Sequence, residues 1–401
     1  MKILTFSTLY PNAESPGHGI FVETRLRHLL ADFDSVSAKV VAPVPWFPFK
    51  SQRFGTYGKF AQVPQAEHRN GIAVAHPRYL RLPKIGMTST PYLLAKASLP
   101  ILQNVICNGF DFDIIDAHYF FPDGVAAAML GKKLNKPVVV TARGSDINLI
   151  STFPVPRKMI LHATRDIAAS ITVSEGLKSR MIELGAEPGK IHVLRNGVDL
   201  TLFRPVDRDI ERRRLGWRTK ILLSVGNLLE LKGHHLVIEA LKSLPDYRLV
   251  IVGSGTEAQS LCDCAQTHAV ADRVDFVSSI PQDQLRNYYG AADALILASS
   301  REGWANVLLE SVACGTPVIA TKVGGNPEVI STTDAGILLS ERSPMAIQTG
   351  VETLFRQYPD HAATRRYAEK FDWHAVSQGQ MDLFHAVIDQ AKSNRTRQSV
   401  G

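Results

Sequence analysis

Two carboxylates, Glu302 and Glu310, stand eight residues apart in the stretch REGWANVLLESVACGTPVIA (301–320), around the start of a helix-like segment in otherwise apolar sequence. They are either incidental charges on a solvated helix start or acceptors for a polyhydroxylated ligand. The strand-like ALILASS (294–300) leads into REGWA, Asn306 is the expected N-cap of the helix, and Gly315 and Pro317 would end it. On that reading Glu310 falls in the first helical turn and Glu302 in the loop before it. The amides of Asn306, Val307 and Leu308 would then point at the same ligand, placing donors for a phosphate beside acceptors for hydroxyls. A nucleotide sugar offers both kinds of group, with Glu310 suited to a ribose diol and Glu302 to sugar hydroxyls.

Other residues fit the same chemistry. In SVGNLLELKGHHLVIEAL (224–241), Lys232 sits between a strand and a helix. A cation there neutralises a departing diphosphate, stabilising charge that develops only in the transition state. The adjoining His234 and His235 have no carboxylate at ligand spacing, so no metal is expected. Gly17 and Gly19 in PGHGIFVETRLRHLL precede an amphipathic helix starting near Ile20, and Gly253 in VGSGTE (252–257) repeats the arrangement. Glycine lets a backbone approach a ligand closely, and helix N-terminal amides attract phosphate. His118 closes the strand-like DIIDAH (113–118), and Arg143 and Asp146 in RGSD end a nearby strand. The acidic pair Asp111 and Asp113 precedes a strand and reads as a solvated turn.

These residues need a scaffold that delivers them to sheet edges. Short β-branched runs alternate with longer amphipathic segments, the pattern of parallel sheets with crossover helices. Strands are expected at 2–8, 38–44, 72–77, 113–118, 137–142 and 170–174, then at 220–226, 247–253, 274–278, 294–299, 317–321 and 335–340. Two α/β units follow, with a boundary near NGVDLTLFRPVDRD (196–209). The segment 44–60 interleaves Trp46, Phe47, Phe49, Phe54, Tyr57 and Phe60 with Lys50, Arg53 and Lys59, and its prolines argue against a regular helix. It reads either as a loop packed on its own domain or as a contact with a membrane surface or lipid acceptor. The tail AKSNRTRQSVG reads as disordered.

A length of 401 residues suits two domains, and an apolar fraction of 45% allows each a sizeable core. Four scattered cysteines without CxxC spacing argue against a disulfide framework and a structural zinc, and fit a reducing compartment. No window of 18 uninterrupted apolar residues is present, and the opening MKILTFSTLYP reads as a first buried strand and not as a signal peptide. Residues 1–205 hold 24 Lys+Arg against 15 Asp+Glu, net +9, and the remainder holds 21 against 23, net −2. No nucleic-acid recognition motif accompanies the basic half, so an anionic membrane surface or a phosphate-bearing substrate is the expected partner.

The Glu302-x7-Glu310 pattern, ACGTPVIATKVGGNPEVI (313–330), VGSG, Lys232-Gly233 and RNGVDLTLF (195–203) resemble the family 4 retaining glycosyltransferases of the GT-B fold. The opening LYPNAESPGHGIFVETRLRHL is similar to members that act in bacterial cell-surface polysaccharide synthesis. The resemblance implies two facing Rossmann-like domains with the active site between them. Residues 1–203 plus 374–392 would form the acceptor domain, 204–373 the donor domain, and 371–388 the segment crossing back. It implies transfer of a sugar from a nucleotide-sugar donor to a glycan or polyprenyl-linked acceptor, with retention and without a metal or other cofactor, at the cytoplasmic face of the plasma membrane. Lys232 would stabilise the leaving diphosphate, Glu302 hold the donor sugar, Glu310 the ribose and Gly19 the phosphate, with His118 beside the transferred sugar. Two departures stand out: the family's second phosphate cation, an arginine, is replaced by Asn227, for which Arg301 is the candidate substitute, and a family histidine is replaced by Arg143. A nucleotide-sugar 2-epimerase of the same fold and a weakly catalytic nucleotide-sugar-binding protein are the competing readings.

Overall fold

The structure, a computed structural model, describes residues 1–81 and 86–400, apart from the side chains of Gln52 and 395–400. The chain forms two compact units, Met1–Arg195 with His374–Gly401, and Asn196–Trp373. The division falls after Arg195 and not after residue 203, because Asn196–Phe203 is tied to the second unit. There Val198 N donates to the Phe371 carbonyl at 2.8 Å, and Arg365 donates to the carbonyls of Leu200 and Phe203 at 3.1 and 2.6 Å.

In the first unit the strands are β1 (Lys2–Phe6), β2 (Ser37–Val41), β3 (Val44–Pro45), β4 (Ala66–Arg69), β5 (Ile72–Ala75), β6 (Arg78–Tyr79), β7 (Ile114–His118), β8 (Val138–Ala142), β9 (Ala169–Thr172) and β10 (Ile191–Val193). Eight of them form one sheet in the order β10-β9-β8-β7-β1-β2-β5-β4, and β3 and β6 pair separately. β1 lies between β2 and β7, so the strand order reverses at the β1/β7 junction, where doubly wound sheets bind ligands beyond their strand C-termini. The inner strands are apolar because crossover helices cover both faces. Ile3, Ile114, Val139 and Ile171 pack with Met381, Phe384 and Val387 of the C-terminal helix.

Sequence reading missed β3, β4, β6 and β10. β4 is a polar edge strand, AEHR, antiparallel to β5, and edge strands carry no apolar pattern. Its hairpin did have a signal in Asn70-Gly71, both with positive φ. Against expectation, segment 44–60 contains regular helix, from Thr56 to Gln62, because its last proline is Pro48 and the helix begins only after Gly55. The tail expected to be disordered instead continues the helix Trp373–Val400.

The second unit has six parallel strands: β11 (Lys220–Val225), β12 (Tyr247–Val252), β13 (Val274–Val277), β14 (Ala294–Leu297), β15 (Val318–Thr321) and β16 (Gly336–Leu339). Their order, β13-β12-β11-β14-β15-β16, places the reversal between β11 and β14. The loops after those two strands carry Lys232 and Glu302. Leu222, Leu249, Ile296 and Ile319 from the sheet pack with Ile238 and Val351 from the helices. Among the described residues no helix is long and apolar enough to cross a membrane.

Candidate active site

In the second unit, Lys232 ends a single 3₁₀ turn, Glu230–Lys232, which Gly233 caps with φ +73°. A Cβ on Gly233 would lie 2.1 Å from the Ala298 carbonyl oxygen, so only glycine lets this turn press against the loop after β14. Ser300 N donates to the Leu231 carbonyl at 2.8 Å and ties the two loops. The result is an ion pair: Lys232 Nζ donates to Glu302 Oε1 at 2.6 Å, and Ser299 Oγ donates to the same oxygen at 2.7 Å. Gly324, φ +51°, closes on the other side, since a Cβ there would sit 2.0 Å from the Glu302 carbonyl oxygen.

Arg301, adjacent to this pair, is partly exposed and makes no hydrogen bond or ion pair among the described residues. Asn227 is exposed, and the loop bearing it is held from beneath by His234, whose Nδ1 lies 2.9 Å from Ser224 Oγ and whose Nε2 lies 3.3 Å from the Asn227 carbonyl oxygen. Burial lowers His234 to about 4, so it is a neutral brace. Gly253 does permit a close approach, but to protein: a Cβ would lie 1.9 Å from the Gly226 carbonyl oxygen, so the glycine joins the loops after β11 and β12.

The helix Asn306–Ala313 begins one residue earlier than expected. Ala305 is its N-cap, without a side-chain cap bond, and Asn306 Oδ1 instead accepts from Asn196 Nδ2 at 3.1 Å. The Leu308 amide bonds to the Ala305 carbonyl, which leaves Asn306 and Val307 as open amides among the described residues. Glu310 is the fifth helical residue and so lies in the second turn, not the first. It is buried, and Oε2 accepts from the Tyr289 hydroxyl at 2.8 Å. Burial raises its carboxyl to about 7, opposed by hydrogen bonds from Tyr289 and Gln282.

In the first unit, Gly19 has φ +64° and starts the helix Ile20–Asp32, and a Cβ there would lie 2.3 Å from the Leu9 carbonyl. Gly17 is exposed and a Cβ on it would meet nothing within 4 Å, so no close approach depends on it. His118 is buried at the end of β7, with Nδ1 2.7 Å from Arg143 Nη2 and Nε2 3.2 Å from Asp116 Oδ2. The Arg143 guanidinium also covers the Phe21 ring at 5.1 Å. Asp146 is buried, and its carboxylate accepts from the amides of Phe120, Arg143 and Gly144 at 2.7–3.2 Å, shaping the turn after β8.

Sequence reading missed Tyr289, Ser299, Asp116 and Asp123. Asp116 carried a signal, because residues two apart in a strand share a face. Asp123 is buried and accepts from Thr8 N and Oγ1 at 3.1 and 2.9 Å, fixing the loop after β1. Tyr119, at φ +78°, turns the chain beside a cavity of about 680 Å³ whose walls include Tyr57, Phe60, Tyr79, Arg81 and Phe121. Asp111 and Asp113 lie in the segment before β7, Asp111 exposed and bonded to Lys136, Asp113 half-buried and bonded to the Lys2 amide.

The architecture has close counterparts among solved structures. Sucrose-phosphate synthase from Thermosynechococcus elongatus superposes with a TM-score of 0.80 at 18% identity, over 97% of this chain and all of that one. HepE from Anabaena, in complex with UDP-glucose, gives 0.74 at 18% identity over 96% of this chain and all of that one. The fold is therefore GT-B. Residues 207–371 match the family described as Glycosyl transferases group 1, and residues 56–202 match Glycosyltransferase Family 4. TuaC of Bacillus subtilis (strain 168), a glycosyltransferase named for teichuronic acid biosynthesis, is 30% identical over 332 residues, 81% of this chain and 82% of that protein. The chain belongs to this glycosyltransferase family.

Proposed function

We propose that this glycosyltransferase moves a sugar, with retention of anomeric configuration and without a metal, from a nucleotide-sugar donor to a glycan or polyprenyl-linked acceptor in cell-surface polysaccharide synthesis, working at the cytoplasmic face of the plasma membrane. The observation that carries the reading is the Lys232–Glu302 pair at the β11/β14 reversal. Two groups of opposite charge held 2.6 Å apart can separate onto a ligand that presents both charges' partners. Lys232 turns to the diphosphate, and Glu302, still held by Ser299, accepts from hydroxyls of the transferred sugar. Glu310 takes the ribose diol, and the open amides of Asn306 and Val307 with Arg301 add positive potential on the phosphates. Arg301 thereby stands in for the cation absent at Asn227. HepE, in complex with UDP-glucose, supports a donor of this chemical class.

In the transfer, the bond from the anomeric carbon to the phosphate oxygen breaks, and a bond to the acceptor oxygen forms on the same face. The acceptor proton passes to the departing phosphate, so no carboxylate need act as nucleophile. Lys232 stabilises the charge gathering on the diphosphate, and His118 with Arg143 lines the transferred sugar. The aromatic cavity beside Tyr119 receives the acceptor, whose sugar rings stack on Tyr and Phe faces.

The test is turnover of a nucleotide-sugar panel, chosen by thermal shift, with and without EDTA, followed by NMR of the product anomer. Retained configuration and turnover in EDTA are expected, with Lys232→Ala lowering kcat by about 10²–10³ and Arg301→Ala by a smaller factor. An inverted product overturns retention, and an epimer formed from donor alone selects the epimerase. If Arg301→Ala left turnover intact while Lys232→Ala abolished it, the substitute-cation role of Arg301 would fail.

A further inference from the structure

A line of buried polar side chains runs from the helix Ile20–Asp32, across the C-terminal helix Trp373–Val400, to the end of β7. Arg25 Nε donates to Gln380 Oε1 at 2.7 Å, and Gln380 Nε2 donates to Asp116 Oδ2 at 3.2 Å. The same Oδ2 lies 3.2 Å from His118 Nε2, and His118 Nδ1 lies 2.7 Å from Arg143. Arg25, Asp116, His118 and Gln380 are all at most 2% exposed.

The chemistry of the ends dictates the middle. A guanidinium only donates and a carboxylate only accepts, so the Gln380 amide must turn its oxygen to Arg25 and its nitrogen to Asp116. By the same logic His118 Nδ1 must accept from Arg143, which places the ring proton on Nε2, where Asp116 receives it. Asp116 Oδ1 has no hydrogen-bond partner among the described residues, so among them Gln380 and His118 are the carboxylate's donors. A buried carboxylate with so few donors is held in place by each of them.

We propose that Gln380, on the C-terminal helix, is a positioning residue that aims Asp116 and thereby holds His118 in its Nε2–H tautomer with Nδ1 turned to Arg143. The inference rests on the reading of His118 as lining the transferred sugar only for its effect on turnover. Its effect on the imidazole stands apart from that reading. The C-terminal helix thus does more than cover the sheet: 264 residues along the chain from Asp116, it supplies the amide that orients the site's histidine.

The experiment is long-range ¹H–¹⁵N NMR of the histidine rings in the full-length protein, with His118 assigned by its absence in His118→Ala. In the wild type the Nε2–H form is expected, and an Nδ1–H form overturns the proposal without any variant. In Gln380→Met, which keeps the side-chain length and loses both polar groups, the His118 signals should move to a tautomer mixture, and kcat should fall about ten-fold with the donor KM within about two-fold. Gln380→Glu keeps the acceptor for Arg25 but sets a carboxylate against Asp116. The groups facing His118 are Asp116, Arg143 and Arg25. Added negative charge among them should raise the proton affinity of the ring and move the acid limb of kcat/KM to higher pH. Unchanged tautomer and pH profile in both variants, with only the melting temperature lowered, would reduce Gln380 to a packing role. If His118→Ala leaves turnover intact, the role of His118 at the sugar fails, while the tautomer measurement still decides the role of Gln380.

Discussion

At the level of single residues, the role proposed for Glu310 at the ribose would link ligand binding to protons. Burial raises its carboxyl to about 7, above the ordinary glutamate range, so near neutrality the folded protein holds it as a mixture of acid and carboxylate. A ribose diol donates to the carboxylate and gains less from the protonated form. Nucleotide affinity should therefore weaken as pH falls through 7 and be flat well above it, and binding near pH 7 should release protons. Calorimetry of nucleoside diphosphate binding in two buffers of different ionisation enthalpy reads this release directly. Glu310→Gln should abolish both the release and the pH dependence, and release that persists in that variant would place the titrating group elsewhere. The carboxylate spacing of Glu302 and Glu310 was legible in the sequence. Their partners Tyr289 and Ser299 were not: the Tyr289 bond spans 21 residues, and the short-range Ser299 bond depends on how the loop after β14 folds back on itself.

At the scale of elements, the second unit is organised by loops that close on one another at glycines. Gly233 combines φ +73° with a would-be Cβ 2.1 Å from the Ala298 oxygen, whereas Gly17 has neither constraint. Gly233→Ala should cost about 1–3 kcal/mol of stability and separate Lys232 from Glu302, lowering kcat as well. Gly17→Ala should change stability by no more than about 0.5 kcal/mol. Urea unfolding midpoints of the two variants decide it, and equal midpoints would refute the distinction. Both glycines looked alike as short motifs beside a helix. What separates them is the neighbouring chain, which local sequence does not reveal.

At the scale of the whole molecule, charge and aromatic exposure fall on the same half. Residues 1–205 carry net +9 against −2 for the rest. The segment with Trp46, Phe49 and Phe54 leaves these side chains 52%, 56% and 43% exposed beside exposed Lys50, Arg53 and Lys59. Phe47 packs edge-on against Phe49 and Phe54, so the segment is a small aromatic cluster with a basic rim. Anionic vesicles should bind the protein, binding should weaken as salt screens the charge, and changing Trp46, Phe47 and Phe49 to Ser should remove the remaining affinity. Flotation with neutral and anionic vesicles at two salt concentrations measures each part. Salt-insensitive binding, or none, would count against a membrane-facing half.

Local apolar periodicity and short motifs were enough to fix two α/β units with parallel sheets, the strand ends that carry Lys232, Glu302 and His118, and the family. Only the folded chain reveals that Asp146 and Gly253 make close protein contacts, that Glu310 is buried on Tyr289, and that Gln380 reaches Asp116. Those outcomes are set by side chains and backbone distant in sequence, where a group's partner, not its type, determines whether it can meet a ligand.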